Sequence, residues 1–292
     1  MIYTICSDKL TVKIDTLGAE LISVKDRSGF EFIWQSPSEP FWNGHSPVLF
    51  PHCGRILNSE YTYEGKTYKM GAHGFAKESE FEVVSHTDSS LKLALFSSNE
   101  SKENYPFDFS LTAEFLVDEI GLFVNFTVQN LDKTTIPYMF GWHPAFTLDD
   151  SNCSKIDDFT LQFNDAKTVN WHKVLPGGFV SHKCLDYELV DSKYTLCEDE
   201  IYSNDTMIFV GTNDYVKLAC DLSPHTIEMN WSKNLPYFCV WKHPDSRARF
   251  ICLEPWSDIP SEGLEPENFE TKIMSRLPAG QSETYSYSIK FF

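Results

Sequence analysis

Residues 110–129 read SLTAEFLVDEIGLFVNFTVQ, and apolar side chains take alternate positions on both sides of an acidic turn. The apolar residues are Leu111, Ala113, Phe115 and Val117 before the turn and Leu122, Val124, Phe126 and Val128 after it. Successive side chains of a β-strand point to opposite faces of the sheet, so this period of two predicts a half-buried antiparallel hairpin.

The same alternation recurs along the chain. It is found in Thr11–Asp15, Glu20–Val24, Phe30–Trp34, Thr206–Val210, Tyr215–Cys220, Thr226–Trp231, Tyr237–Trp241, Arg249–Leu253 and Glu283–Phe291. No segment carries a helical apolar stripe over three turns, and we expect at most a helical turn or two near Pro37–Asn43 or Glu265–Glu270. Many short strands with polar turns predict an all-β fold, a large antiparallel β-sandwich. Without a linker or repeat, residues 1–292 are predicted to form a single domain.

Charge and composition limit the classes of partner that the protein is expected to bind. The formal net charge of the 292-residue chain is −18, which disfavours nucleic acid and anionic lipid. No apolar run approaches the roughly 18 residues that a membrane helix needs. The N-terminal segment MIYTICSDKLTVKID lacks the features of a signal peptide, so we expect a cytoplasmic protein. The eight cysteines are dispersed, and we expect free, mostly buried thiols.

Elimination leaves a small set of candidate site residues. The chain has no glycine-rich phosphate loop, no GxSxG elbow and no metal signature, and nothing in it points to a Cys–His nucleophile pair. What remains are five polar residues in apolar or tight-turn sequence. They are Arg55 in LFPHCGRI, His73 in GAHGFA, His143 in GWHPAF, Asp205 in SNDTMIF and Glu254 in ICLEPW.

Each of these residues also has a structural interpretation. His143 could be a core histidine bonded to a carbonyl, and His73 a turn residue between glycines. Glu254 and Arg55 could form a structural ion pair. Asp205 follows an asparagine before a strand, which is an ordinary turn pattern.

The set is also chemically coherent. A histidine and a carboxylate in a partly apolar cleft can act as an acid/base pair with separable pKa values. The other polar groups could orient hydroxyl groups. A proton-transfer reaction on a polyol fits this inventory without a metal or another cofactor.

The five motifs, in this order and spacing, resemble those of the aldose 1-epimerase (galactose mutarotase-like) family. The similarity begins with GAELISV and IWQ, runs through FPHCGR, HGFA, GWHPAF and the Asp205 strand, and ends at LEPW. It is closer to the shorter bacterial branch, the LacX-type proteins, than to the longer galactose mutarotases.

The resemblance implies roles for the five residues. By position, His143 corresponds to the general acid that protonates the ring oxygen, and Glu254 to the base that takes the C1 hydroxyl proton. Arg55, His73 and Asp205 correspond to substrate-positioning residues. We expect Glu254 to be ionised and His143 protonated at neutral pH. Aromatic residues that could stack on a sugar ring or belong to the core are Trp34, Trp42, Phe75, Trp142 and Trp256.

The expected partner is a small sugar, an aldohexose that is either free or phosphorylated, and the expected assembly is a monomer or homodimer. A hexose-phosphate 1-epimerase would need a basic cluster at the cleft mouth. The candidates for that cluster are Lys77, Lys242, Arg247 and Arg249. A non-catalytic sugar-binding or sensing protein is a third alternative. A glycoside hydrolase is a fourth, although that chemistry normally uses two carboxylates.

Overall fold

The hairpin at residues 110–129 lies in the middle of the largest sheet of the computed structural model. The structure describes residues 1–35, 41–148, 153 and 155–292, without the side chain of Tyr202. The strand Phe109–Val117 pairs with the strand Leu122–Asn130 so that Val117 faces Leu122 and Ala113 faces Phe126, as the alternation predicts.

The described residues form β-strands with a few short helices. The strands are β1 Ile2–Cys6, β2 Leu10–Asp15, β3 Glu20–Asp26, β4 Val48–Leu49, β5 Glu60–Tyr63, β6 Lys66–Lys69, β7 Glu82–His86, β8 Ser90–Phe96, β9 Phe109–Val117, β10 Leu122–Asn130, β11 Ile136–Tyr138, β12 Gly141–Trp142, β13 Ala145–Thr147, β14 Phe159–Gln162, β15 Thr168–Leu175, β16 Phe179–Glu188, β17 Lys193–Thr195, β18 Thr206–Val210, β19 Tyr215–Cys220, β20 Ile227–Trp231, β21 Tyr237–Trp241, β22 Phe250–Trp256, β23 Glu267–Asn268, β24 Ser275–Leu277 and β25 Ser282–Phe291. The α-helices are α1 Asn99–Asn104 and α2 Glu198–Asn204, and the 3-10 helices are Leu57–Ser59, Ala76–Glu78 and Ile156–Asp158.

Two large antiparallel sheets dominate the fold. One has nine strands in the order β17-β14-β19-β20-β25-β10-β9-β8-β7. The other has eight, with β16-β15-β18-β21-β22-β12-β4 in sequence and β13 also paired to β22. Smaller sheets β1-β2-β3, β23-β5-β6 and β11-β24 complete the architecture. The predicted all-β sandwich is confirmed.

Aromatic side chains join the two large sheets. Trp142 on β12 packs against Tyr287 on β25 with ring centroids 5.0 Å apart. Trp231 on β20 stacks on Phe238 of β21 at 4.9 Å. These side chains belong to a continuous buried core that includes residues from both sheets. Burial of such large apolar surfaces is the main stabilising contribution to the sandwich.

A short strand replaces one of the two expected helical turns. Within Glu265–Glu270 the structure has the short strand β23, which pairs in parallel with β5. Much of Pro37–Asn43 lies outside the described residues, and its last three residues are not helical. Helix α1 instead begins after Ser98, whose side chain accepts from Ser101 N and caps the first turn.

The expectation of eight free cysteines is wrong at one pair. Cys153 and Cys220 form a disulfide, which links the chain before β14 to the end of β19. Because 67 residues separate them, sequence spacing carried no signal for this pairing. None of the helices in the described ranges is long and apolar enough to cross a membrane.

Candidate active site

A cleft lies on the face of the eight-stranded sheet that points away from the nine-stranded one. Its cavity volume is about 300 Å³, at the lower end of the range for small-molecule sites. Its lining residues include Trp42, Arg55, His73, Lys77, His143, Asp205, Trp241, Glu254 and Trp256. All five residues singled out by the sequence therefore meet in this cleft.

Strand alternation places His143 in the cleft. Trp142, the last residue of β12, points into the inter-sheet core, so the next side chain faces the opposite side. The backbone N–H of His143 donates to Pro47 O at 3.1 Å. The residue is 7% exposed, and its imidazole is flanked by Trp42 and Trp241, with centroid distances of 5.0 and 5.7 Å.

The same rule places Glu254. It lies near the end of β22, whose seven residues are all buried, and it pairs in register with Cys239 on β21. Leu253 belongs to the buried core, whereas Glu254 lines the cleft. Only 1% of Glu254 is exposed.

His143 and Glu254 are in direct contact. Nε2 of His143 lies 3.2 Å from Oε2 of Glu254. The ion partner that the sequence suggested for Glu254 was Arg55, but within the described residues its partner is His143. Arg55 extends from the loop after β4 as an exposed side chain at the cleft wall.

Burial opposes the charged forms that were expected for both members of the pair. Burial lowers the pKa of His143 well below the ordinary range of an imidazole. Burial also raises the pKa of Glu254 well above its usual value, and the negative charge of Asp205 adds to the rise. Trp256 offsets part of this pKa shift, although its indole N–H and the carboxylate are outside hydrogen-bond geometry. Burial therefore opposes the charged form of each group, because that form would lose hydration.

Several buried polar atoms of this cleft lack hydrogen-bond partners within the described part of the chain. They are Nδ1 of His143, both carboxyl oxygens of Glu254 and Nε1 of Trp256. Buried polar groups are nearly always paired in proteins, so such a group of atoms marks a place where a polar ligand can bind. Donors and acceptors alternate here, which suits hydroxyl groups that do both.

His73 is held as a hydrogen-bond donor to the cleft. Its backbone has φ = 66°, and its Nδ1 accepts the N–H of Gly54 at 3.1 Å. Burial, followed by the nearby His143, lowers the pKa of His73 well below its normal value, so the ring is neutral. A neutral ring that accepts at Nδ1 carries its proton on Nε2. The left-handed backbone also confirms that His73 is a turn residue. This structural role is compatible with a role as a hydrogen-bond donor to the cleft.

Glycine is required beside this histidine. Gly54 has φ = 70°, and a Cβ there would lie 2.2 Å from Cγ of Pro260, which is another cleft residue. Any side chain at position 54 would therefore displace the loop that holds His73 and Arg55.

Asp205 lies at the junction of α2 and β18. Its φ of 61° is the left-handed conformation that often ends a helix. The exposed carboxylate borders the cleft beside Thr206. The turn interpretation is therefore confirmed for this residue too, and the turn directs it to the site.

Residues 1–290 match the family model for aldose 1-epimerase. The chain belongs to the aldose 1-epimerase family. It is 28% identical to the chromosomal protein LacX of Lactococcus lactis over 97% of each chain. The structure is similar to that of a galactose mutarotase related enzyme from Lactobacillus acidophilus, with a TM-score of 0.92, 29% identity, and coverage of 100% of this chain and 97% of the other.

A second solved structure supports the same fold. A galactose mutarotase-like protein from Lactobacillus casei has a TM-score of 0.92 at 26% identity, with both chains fully covered. The match in length and fold to these aldose 1-epimerase relatives confirms the family resemblance that the motifs indicated.

Two of the five predicted aromatic residues line the cleft of this member of the aldose 1-epimerase family. Trp42 and Trp256 do so, whereas Trp34, Phe75 and Trp142 pack elsewhere. Trp241 also lines the cleft, although no sequence pattern singled it out. On β21, Trp241 lies two alternations after Tyr237 and pairs with Cys252 of β22, so its side chain is on the same face of the sheet as Glu254. The register between these two strands was not readable from the sequence.

Three of the four predicted basic residues contact acidic side chains or backbone carbonyls away from the cleft. Lys242 contacts Glu198 at 3.4 Å, Arg247 binds Asp245 at 2.6 Å, and Arg249 donates to the carbonyls of Leu148 and Cys153. Lys77 alone of the four lines the cleft, where it pairs with Glu78. The predicted basic cluster is not formed.

Three side chains in and beside the cleft could supply donors to a metal ion. Atoms of His143, Cys252 and Glu254 lie within 4.8 Å of one another, a combination that zinc can use. Burial raises the pKa of Cys252 well above its usual value, with the charge of Glu254 adding to it, and this disfavours the thiolate that a metal needs. The expectation of a metal-independent, cofactor-independent site stays a prediction.

Proposed function

We propose that this protein is an aldose 1-epimerase that interconverts the α and β anomers of a free aldohexose by acid/base ring opening and closure. The observation that carries the proposal is the contact of 3.2 Å between His143 Nε2 and Glu254 Oε2 on the floor of the cleft. Both groups are buried there, and both present unpaired polar atoms to the cleft.

One exchangeable proton can lie on either member of the pair, on Glu254 in the neutral form or on His143 in the charged form. Burial favours the neutral form, with the proton on Glu254. Transfer across the contact produces imidazolium and carboxylate, the form that the expected roles require. The proton count is unchanged, so the pair supplies one donor and one acceptor in both forms.

Anomerisation uses both members of the pair. His143 gives its proton to the ring oxygen while Glu254 takes the proton of the C1 hydroxyl. The bond between C1 and the ring oxygen breaks, and an open-chain aldehyde forms. After rotation about the C1–C2 bond, the ring closes on the other face of the carbonyl and both proton transfers run in reverse.

The remaining cleft residues would hold the sugar. The Nε2–H of His73 can donate to a hydroxyl or ring oxygen, and Asp205 can accept from hydroxyls. Arg55 can donate at the opposite wall. Trp42, Trp241 and Trp256 offer aromatic faces to the C–H groups of a pyranose.

A free sugar is favoured over a sugar phosphate. Only Arg55 and Lys77 supply positive charge among the lining residues, and the carboxylate of Asp205 opposes them. Hydrogen-bonding partners for hydroxyls are therefore better represented than a phosphate site. A cytoplasmic location and a monomeric or homodimeric state stay predictions.

Polarimetry of freshly dissolved α-glucose and α-galactose tests the proposal. We expect His143→Asn and Glu254→Gln each to lower the catalysed rate by roughly 10²–10⁴-fold, the usual contribution of a general acid or base. Matched controls are His86→Asn and Glu228→Gln, which change the same residue types outside the cleft and should keep the wild-type rate.

Other outcomes would favour the alternatives. Full activity in both cleft variants would refute the assigned roles. Sugar binding measured by calorimetry without any acceleration of mutarotation would indicate a sensing protein. Inhibition by glucose 6-phosphate, but not by free glucose, would favour a phosphorylated substrate. Cleavage of a chromogenic glycoside would indicate a hydrolase.

A further inference from the structure

A second chemically suggestive pair lies outside the candidate active site. Sγ of Cys184 on β16 is 3.1 Å from Nε2 of His172 on β15. The two residues are direct cross-strand partners in the antiparallel pair. Neither lines the cleft that contains His143 and Glu254.

The imidazole is oriented by a third group. Nδ1 of His172 lies 2.9 Å from the carbonyl oxygen of Ser181, which can only accept a hydrogen bond. The Nδ1 proton of the neutral ring is therefore used by that carbonyl, and the Nε2 lone pair faces the thiol. Thiol, base and orienting acceptor form the arrangement that activates a nucleophile.

The surroundings give a reagent access to the thiol. Cys184 is exposed on β16, an edge strand of its sheet, while His172 is buried. His172 also lines a second cavity of about 610 Å³. The ring of Tyr237 packs against His172 at 5.7 Å, and the cavity wall continues with His182, Asp258 and Glu262.

We propose that Cys184 is a reactive thiol that forms mixed disulfides with low-molecular-weight disulfides. The thiol proton moves to His172 Nε2, and the thiolate attacks one sulfur of R–S–S–R. A bond forms between Cys184 Sγ and that sulfur, the original S–S bond breaks, and R–S⁻ leaves and takes up a proton. The incoming disulfide is reduced to one thiol as Cys184 becomes oxidised, so the exchange balances.

Cys6 provides a matched comparison within the same chain. It is also an exposed cysteine on a strand, but its Sγ contacts the hydroxyl of Thr11 at 3.9 Å. His172 can accept the proton of the Cys184 thiol, whereas the Thr11 hydroxyl offers Cys6 no comparable base. Cys184 should exceed Cys6 in reactivity by about tenfold or more.

The test is competitive alkylation of the folded protein with limiting iodoacetamide, read at each cysteine by peptide mass spectrometry between pH 5 and 9. We expect Cys184 to react about tenfold faster than Cys6 at pH 7. His172→Gln should bring Cys184 to within about twofold of Cys6. Oxidised glutathione should add one glutathionyl group to the Cys184 peptide, which dithiothreitol removes.

The mutarotation rate and circular dichroism of His172→Gln serve as the check on folding, because His172 lies outside the candidate active site. Equal alkylation rates and pH profiles for Cys184 and Cys6 in the wild-type protein would overturn the proposal, even if the variant failed to fold. An unchanged Cys184 rate in a folded His172→Gln variant would overturn it as well.

Discussion

At the scale of single residues, the central feature is that His143 and Glu254 are in contact in a poorly hydrated place. Their separation of 3.2 Å makes them one titrating unit. Its singly protonated form is the reactive one in the proposed mechanism. The pH range over which that form persists is therefore a direct property of the site.

We expect kcat/KM for mutarotation to be flat over at least the interval between the ordinary pKa values of glutamate and histidine, about 4.3 to about 6.5. Burial lowers the pKa of His143, so the second proton binds only in more acid solution than for an exposed histidine. Burial raises the pKa of Glu254, so the last proton leaves only in more alkaline solution than for an exposed glutamate. The measurement is polarimetry with the uncatalysed rate subtracted at each pH.

A narrow bell with midpoints near 4.3 and 6.5, the ordinary values for Glu and His, would contradict this prediction. It would mean that solvent hydrates the pair in the working enzyme. Asp205→Asn is informative here, because loss of its charge removes one cause of the raised Glu254 pKa. The alkaline limb should then move to lower pH.

The sequence could predict which residues converge but not how they are ionised. GWHPAF and LEPW each contain one polar side chain in an apolar strand context, and that was sufficient to select His143 and Glu254. Their charges depend on β22 being buried along all its length, which follows from the packing of other segments around it. Burial of this strand opposes the ionised glutamate that the sequence predicts, and the charge state of Glu254 stays a prediction.

At the scale of elements, the segment after β22 is fixed by a buried ionic cluster. Nζ of Lys272 lies 2.8 Å from Oε2 of Glu267, and Ser261 donates to the other carboxylate oxygen at 2.7 Å. His52 Nε2 lies 3.8 Å from the same carboxylate. The cluster ties the segment to the loop after β4, which also carries Gly54 and Arg55.

Lys272→Met should lower the free energy of unfolding by about 3–5 kcal/mol at pH 7, because it leaves a buried carboxylate without its main partner. Chemical denaturation measures the change. The matched control is Lys69→Met, which breaks a surface pair with Glu60 at 3.3 Å and should cost less than about 1 kcal/mol.

The effect of Lys272→Met should also depend on pH. Burial alone would raise the pKa of Glu267, but His52 and Lys272 outweigh it and hold that pKa at about 2. A carboxyl with a depressed pKa stabilises the fold above its unfolded value of about 4.3 and loses this contribution as pH falls toward 2. The difference between wild type and variant should therefore shrink below about pH 4. A pH-independent difference would assign the loss to packing.

Most long strands could be predicted, and the short ones could not. The bounds Thr206–Val210, Tyr215–Cys220 and Tyr237–Trp241 agree with the structure, because alternation persists over five or six residues. Phe30–Trp34 forms only isolated bridges, from Glu31 to Lys25 and from Ile33 to Phe146. Two-residue strands such as β12 are too short to have a period.

At the scale of the whole molecule, the two large sheets are assembled from strands distant in sequence. Strand β25 lies between β20 and β10, and β12 lies between β22 and β4. These neighbours are set by the packing of the complete chain, so the sheet order was not predictable from local patterns. The alternation could predict a sandwich without predicting its strand order.

We expect the protein to unfold in one calorimetric transition, as the predicted single domain requires. The C-terminal strand β25 pairs with β10 and β20, so neither half of the chain completes the nine-stranded sheet alone. Differential scanning calorimetry should give agreement between the calorimetric and van't Hoff enthalpies. Two separable transitions would indicate two domains.

The hairpin of β15 and β16 borders both regions discussed above. Near its turn, Val174, Gly178 and Val180 form part of the cleft wall, and farther along it carries His172 and Cys184. An environment-sensitive dye attached to Cys184 would therefore be covalently joined to a wall of the cleft without occupying it. The native cysteine could report sugar binding by fluorescence in real time, with no need for an engineered label site.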